Sequence, residues 1–224
     1  MPLHPIAPGP PTNTQPVGAT FFFRQPQQVA KDLLGCLLVV DTDEGQSGGI
    51  IVETEAYLGT DDPGSHAATR GITERNSAMY GPAGTVYVYF TYGCHHMLNL
   101  VCCEEGVAGA VLVRAVEPSL NVTLMRTRRP GRRDPELCNG PGKLTAALGV
   151  DLSDNRSALG EGRINVYHGQ RGAPKEVAVS GRVGLSEGHD LELRYYLVGN
   201  THVSRGRTGP AGTRARGTHG RRRS

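Results

Sequence analysis

Tryptophan is absent from this sequence, and aromatic residues of all kinds make up only 5% of it. An indole-based core or docking face is therefore excluded, and each Tyr carries more weight in the reading. No apolar run reaches the roughly 18 residues that a membrane-spanning helix needs. Met1 to Thr20 lacks a basic stretch leading into an apolar one, so no secretory leader is expected there. Cysteine is sparse and unpatterned: five residues, two of them adjacent, and no CxxC. That argues against a disulfide framework and suits free thiols in a reducing compartment. Cys94, His95, His96, Cys102 and Cys103 lie close together, but their spacing fits no standard zinc pattern, so no metal is expected. Acidic residues are missing from one place. Arg205 to Ser224 holds seven Arg and no Asp or Glu, which leaves the first 204 residues at a net charge of −4 within a chain of +3. A second basic run, Arg126 to Arg133, lies inside the body. Such runs favour polyanions, phosphate backbones in particular, though a solvated loop and tail would read the same way.

What is present is organised around Ile50-Ile51-Val52-Glu53-Thr54-Glu55-Ala56-Tyr57. It reads as a β-strand by its β-branched, apolar content, yet it carries two carboxylates at alternate positions. Strand alternation puts Ile51, Glu53, Glu55 and Tyr57 on one face. Buried acids need partners. A salt-bridged sheet face is one reading and a reactive site the other.

Around it, Met1 to Thr20 is Pro-rich and expected to be disordered. Gln27 to Leu34 predicts a helix closed by Gly35. Cys36 to Val40 predicts a strand, Asp41 to Gly49 a polar hairpin loop, and Ile50 to Tyr57 its partner. The polar stretch from Gly59 to Gly81, with His66, is long enough to suggest function. Thr85 to Thr91 and Met97 to Cys103 predict a β-hairpin with Tyr92 at its tip. There Tyr92 either packs on a neighbour or wedges between stacked bases. Ala108 to Val116 is an apolar strand interrupted by Arg114, whose burial calls for Glu53 or Glu55 as partner. Leu124 to Cys138 reads as a basic loop. Asn139-Gly140-Pro141-Gly142-Lys143 opens a helix over Leu144 to Leu148, a reasonable phosphate contact though not a P-loop. Arg163 to Tyr167, Glu176 to Leu185 and Leu191 to Val198 alternate as strands. The fold class expected is α+β: one domain, Phe21 to Ser204, dominated by antiparallel hairpins, with an Arg-rich tail expected to be disordered.

Five motifs stand in an order and spacing that resembles the alkyladenine (3-methyladenine) DNA glycosylases. They are Ile51 to Tyr57, Met79-Tyr80-Gly81-Pro82-Ala83-Gly84, Tyr87 to Gly93, Leu112 to Pro118, and Asn139 to Leu144. The resemblance covers about Phe21 to Ser204; Cys94 departs from it, standing where Met is usual. It implies a monomeric enzyme without a cofactor that works in the minor groove of double-stranded DNA. Such an enzyme flips out a damaged purine and hydrolyses its N-glycosidic bond. It implies a curved antiparallel sheet with a protruding hairpin, and a cytoplasmic location, nucleoid-associated in a bacterium and nuclear in a eukaryote. Glu55 is implied as the general base, with Arg114 and the carbonyl of Val183 holding the attacking water. Tyr57, His66 and Tyr89 are implied as the walls of the base pocket, with His66 also bonding the base edge. Asn99 matches the residue that crowds the 2-amino group of guanine, and Tyr92 the one that fills the vacated stack. Arg126, Arg128, Arg129, Arg132 and Lys143 are expected on the DNA backbone. Glu53 is expected to be secondary, a partner for an Arg. Substrates open to the family include 3-methyladenine, 7-methylguanine, hypoxanthine and ethenoadenine.

The chemistry suits one carboxylate. Depurination passes through an oxocarbenium-like sugar, so one acid can take the water's proton and offset the developing charge. A cationic alkylpurine leaves without a general acid, and an aromatic face attracts a cationic ring. The arrangement expected is an ionised Glu55 open at the floor of an aromatic slot. A non-catalytic lesion binder or a general nucleic-acid module would need no such acid. The opposite charges of tail and body generate one prediction. Deleting Arg205 to Ser224 weakens non-specific DNA binding and flattens its salt dependence. Single-turnover excision at saturating enzyme stays unchanged, and an unaltered salt slope removes the idea.

Overall fold

The computed structural model describes residues 15–91, 93–169 and 176–206. Tyr92, most of the Pro-rich start and nearly all of the Arg-rich tail lie outside them. Among the described residues eight strands form one curled antiparallel sheet: β1 (Leu37–Thr42), β2 (Gly45–Tyr57), β3 (Val86–Thr91), β4 (His95–Val101), β5 (Ala110–Leu120), β6 (Ile164–Tyr167), β7 (Val177–Ser180) and β8 (Arg194–Leu197). Among the described residues six short α-helices lie around it: α1 (Ala19–Phe22), α2 (Pro26–Asp32), α3 (His66–Arg70), α4 (Val122–Arg128), α5 (Asp134–Leu137) and α6 (Pro141–Leu148). The class is α+β, as the sequence predicts. Among the described residues no helix is long and apolar enough to cross a membrane.

The sheet runs β3-β4-β5-β2-β1-β6, with β8 and β7 joined to it at β2. Thus β2 serves three partners. β5 runs beside one edge along its length. The other edge is divided: β1 takes Gly45 to Ile50, and β8 takes Glu53 to Glu55. Where the partner changes, the register against β5 slips on both sides of Glu53. An extra residue in a strand reverses the face presented beyond it. Ile51 therefore enters the main core with Ala56, and Val52 packs with Ala115 and Leu197. Plain alternation places Ile51 with the carboxylates; the bulge overturns that. Glu53, Glu55 and Tyr57 remain together.

The helices obey their sequence signals. α2 starts at Pro26, where no amide hydrogen is required, and buries Val29 and Ala30. The Thr54 hydroxyl of β2 donates to the Ala30 carbonyl at 2.8 Å and fixes that packing. α6 starts at Pro141 and lays Leu144, Ala147 and Leu148 into the core. Three expectations need correcting. The polar hairpin loop is shorter than expected, because β2 already begins at Gly45. The expected basic loop carries α4 and α5; the Asn121 side chain caps the first, and Glu136 reaches back to the Arg133 amide at the second. Only Val177–Ser180 of the stretch from Glu176 to Leu185 is strand, since Gly181 and Gly184 bracket a turn toward the interior. At the other end residues ahead of Phe21 also pack on the sheet, with the Val17 amide donating to the Val166 carbonyl at 2.9 Å.

Two apolar clusters flank the polar face of β2. The main core lies between the sheet and α2, α4 and α6. A smaller one, with Met79, Tyr87, Val101 and Ala110, supports the partly buried Tyr57, Tyr80 and Tyr89.

Between these clusters the interior holds charge. Glu53 is fully buried and accepts from four donors. Arg114 Nε reaches Oε1 at 2.9 Å and Arg194 Nε at 2.7 Å. Ser204 supplies its hydroxyl to Oε1 at 2.8 Å and its amide to Oε2 at 2.6 Å. Burial alone raises this carboxyl's pKa, but the two guanidiniums outweigh it and hold it below the usual value. A depressed folded pKa gives stability that is complete above the unfolded value, about 4.3, and is lost as pH falls through the folded one. Glu53→Gln is therefore expected to lose roughly 3 kcal/mol near neutral pH, since it leaves buried Arg side chains short of their counter-charge. Its deficit against wild type narrows below about pH 4. Urea unfolding of both proteins across pH checks this; a deficit independent of pH contradicts it.

Candidate active site

The cleft beside the smaller cluster is lined by Tyr57, Gly64, His66, Met79, Tyr87, Tyr89, Asn99 and Leu185, and has a cavity volume of about 50 Å³. That is well short of ligand pockets, which run from roughly 300 Å³ upward, so a base can enter only as the walls part. Strand alternation on β3 puts Val86 and Val88 into the core and turns Tyr87 and Tyr89 toward the cleft. Asn99 on β4 is paired with Tyr87. Its amide nitrogen donates to the Tyr87 and Met97 carbonyls at 3.1 and 3.2 Å, which fixes the side chain's orientation.

His66 arrives on the long polar stretch as the first residue of α3, which Ser65 caps. Its Nδ1 lies 3.0 Å from the Tyr87 hydroxyl, and its ring meets Tyr89 edge-on at 4.6 Å between centroids. The Asn76 amide binds the His66 and Gly71 carbonyls and closes the loop behind it. Burial first, then the nearby Arg75, lowers the His66 pKa, so the ring is neutral at pH 7. In the tautomer in which Tyr87 donates to Nδ1, the ring hydrogen sits on Nε2 and is available to a ligand.

The two aromatic walls are not bare. The Arg182 guanidinium lies 4.7 Å from the Tyr57 ring centroid, and that of Arg75 lies 5.3 Å from the Tyr89 centroid. A cation already against a ring weakens its pull on a second one. The attraction for a cationic base is thus smaller than bare tyrosines would provide.

Glu55 departs from its expected place. Its side chain is fully buried, and it does not line the cleft. Oε2 accepts from the Tyr57 hydroxyl at 3.0 Å and lies 3.2 Å from Arg114 Nη1. Oε1 accepts from the Val183 amide at 2.7 Å. Donors on both oxygens are the surroundings of an ionised carboxylate. The acid is one hydrogen bond behind the cleft, capped by Tyr57, and not open at its floor. Arg114 bridges Glu53 and Glu55, where burial of a lone charge called for one or the other. Burial lowers the Arg114 pKa, but both carboxylates overcome this and raise it.

The basic residues divide. Arg126 pairs with Asp134 on the surface at 2.7 Å. Arg128 is largely enclosed, with bonds to Glu44, Thr42 and the Ala147 carbonyl, so it braces the turn between β1 and β2. Arg129 donates to the carbonyls of Glu136 and Leu137 and closes the link from α4 to α5. Arg132 is exposed and has no ion pair among the described residues. Lys143 donates to Asn139 at 2.8 Å. No cluster able to hold a metal occurs among the described residues.

Sequence reasoning missed Tyr87, Arg182, Arg194 and Ser204. Tyr87 was legible, since it alternates with Tyr89. Arg182 pairs with Asp62, 120 residues away, and nothing local in the sequence marks that pair. Nothing local marks Ser204, which meets Glu53 only through the tertiary fold.

Residues 20–201 match the family profile of methylpurine-DNA glycosylase (MPG). A protein of Methanoculleus marisnigri named "Putative 3-methyladenine DNA glycosylase" is 47% identical over 191 residues, 84% of this chain and 97% of its own length. Proteins of the same name from Bacillus subtilis and Rhodopseudomonas palustris are 42% and 46% identical, over 85% and 83% of this chain and 97% and 89% of their own lengths. The chain belongs to the methylpurine-DNA glycosylase family, and it is a DNA repair enzyme that removes bases by hydrolysis.

Proposed function

We propose that the cleft receives an alkylated or otherwise damaged purine, such as 3-methyladenine, flipped out of duplex DNA, and that Glu55 is the general base of its release. The observation that carries this reading is the buried Glu55 carboxylate held between Arg114 and the Val183 amide, one hydrogen bond from an aromatic cleft. Tyr57, His66 and Tyr89 form the walls, His66 Nε2 meets the base edge, and Asn99 excludes the 2-amino group of guanine. Tyr92, outside the described residues, fills the space left in the stack. Arg126, Arg132 and Lys143 are the better placed of the expected phosphate contacts. Arg126 gives up a surface ion pair worth only about 0–1 kcal/mol, whereas Arg128 and Arg129 are engaged internally. The enzyme acts as a monomer.

The cap on Glu55 shapes the mechanism. A base stacking against Tyr57 draws its hydroxyl off Oε2 and opens a place there for water. Arg114 and the Val183 carbonyl hold that water toward the sugar carbon. Glu55 takes a water proton as the glycosidic bond breaks, and its charge offsets the oxocarbenium character of the sugar. A neutral leaving base such as hypoxanthine accepts a hydrogen bond from His66, while a cationic one needs no such help.

Two experiments test the reading. Glu55→Gln is expected to bind lesion or abasic DNA and to release free base at least about 100-fold more slowly. Equal release by both proteins means that the wrong base has been named. Tyr57→Phe removes the cap and keeps the ring, so its single-turnover excision should match or exceed wild type. Tyr57→Ala should lose at least about tenfold, because stacking on one aromatic wall is worth roughly 1–3 kcal/mol. If the Phe variant falls as far as the Ala variant, the hydroxyl is no mere cap.

A further inference from the structure

Arg182 is completely buried and joins the three segments from which the cleft is built. Its Nη1 donates to the Ala56 carbonyl at 3.1 Å, at the end of β2 next to Tyr57. Both terminal nitrogens grip Asp62, Nη1 to Oδ2 at 2.6 Å and Nη2 to Oδ1 at 2.5 Å. Nη2 also donates to the Gly188 carbonyl at 3.0 Å. Asp62 in turn accepts from the Leu58 and Gly64 amides at 3.1 and 2.9 Å, which fixes the loop leading to His66. The guanidinium lies 4.7 Å from the Tyr57 centroid, and the next residue, Val183, donates its amide to Glu55.

The chain is fitted closely around this group. A Cβ on Gly64 would stand 2.6 Å from Arg182 Nη2 and 2.7 Å from Leu185, and one on Gly188 would stand 2.8 Å from the same nitrogen. Gly188 has a φ of +64°, which a side chain would also oppose. Such a pair is a poor device for stability alone. Removing two charges from water costs more than packing apolar groups would, and Nε finds no acceptor among the described residues. A planar fork gripping a carboxylate does offer fixed geometry, which a lysine does not.

We propose that Arg182, held by Asp62, is a positioning residue for base excision. It sets the Tyr57 wall and, through Val183, the donor on Glu55, in one rigid unit. The proposal rests on Glu55 being the general base. It predicts that loosening the fork misplaces Glu55 and Tyr57 together, and small misplacements at a reacting centre cost up to about 100-fold.

The test is a double-mutant cycle on duplex DNA carrying 7-methylguanine, a cationic base that leaves readily enough for slow variants to be measured. Arg182→Lys, Glu55→Gln and the double variant are compared with wild type by single-turnover excision at saturating enzyme. Near-ultraviolet circular dichroism establishes that each is folded at the assay temperature. Arg182→Lys is expected to excise roughly ten- to a hundredfold more slowly than wild type. In the Glu55→Gln background the same change should cost at least about threefold less than it does in wild type, because one of the two groups it sets, Glu55, is gone while the Tyr57 wall remains. Should Arg182→Lys fail to fold, Asp62→Asn takes its place in the cycle, with the same pattern expected. An equal loss in both backgrounds, or no loss from wild type, overturns the proposal. Glu55→Gln alone decides the reading beneath it: excision at the wild-type rate would refute the general base, while the Arg182 variant is still scored against wild type.

Discussion

Two carboxylates on the same face of a buried strand repel each other, and the interior can hold both only if a cation stands between them. Arg114 is that cation, 2.9 Å from Glu53 and 3.2 Å from Glu55. The rest of the site depends on this arrangement. β5 must lie beside β2 in the register that brings Arg114 to the acids, and β8 must take the other edge to bring Arg194. The handover from β1 to β8 creates the bulge that turns Ile51 into the core and leaves the polar face to Glu53, Glu55 and Tyr57. A charged face within a sheet is costly unless every lone pair finds a donor. Ser204 and the Val183 amide complete that set from segments far away in the chain.

The elements built from strong local patterns were legible in the sequence. The strand Val86–Thr91, the helix opened by Pro26 and the helix opened by Pro141 are where the sequence predicts them, since alternation and capping are short-range signals. The need of Arg114 for an acid was legible too, from the cost of burying a lone charge. Three things were not. The bulge depends on two strands meeting end to end along β2, which no window of sequence contains. The helices α4 and α5 were hidden by their Arg content, which suggests a loop until the capping Asn121 and the Glu136 contact are seen. The enclosure of Glu55 was missed because the expected slot took no account of a Tyr hydroxyl two residues on, folding back onto its own strand neighbour.

Arg128 shows the same limit on the surface. Charge density marks the run from Arg126 to Arg133 as a phosphate-binding stretch. Yet much of that charge is answered within the protein, by Asp134, Glu44 and Glu136. A formal count therefore overstates the field that such a segment offers to DNA. What discriminates is the cost of release: an exposed pair such as Arg126 with Asp134 opens at little expense, whereas an enclosed Arg with several partners does not.

The two acids differ in one respect that fits different tasks. Glu53 is saturated by groups whose release would disturb the fold: two buried Arg side chains and a backbone amide. Glu55 has two fixed partners, the Arg114 guanidinium as ion pair and the Val183 amide as donor, and a third donor, the Tyr57 hydroxyl, that can be exchanged. That third donor belongs to a wall of the cleft. A ligand pressing on the wall is thus linked to the acid behind it through one hydrogen bond worth about 1–3 kcal/mol to a charged group. A proposed base arranged in this way is shielded while the cleft is empty and exposed when a ring occupies it. Its reactivity would then depend on occupancy and not on acidity alone, a useful property for an enzyme surrounded by undamaged purines.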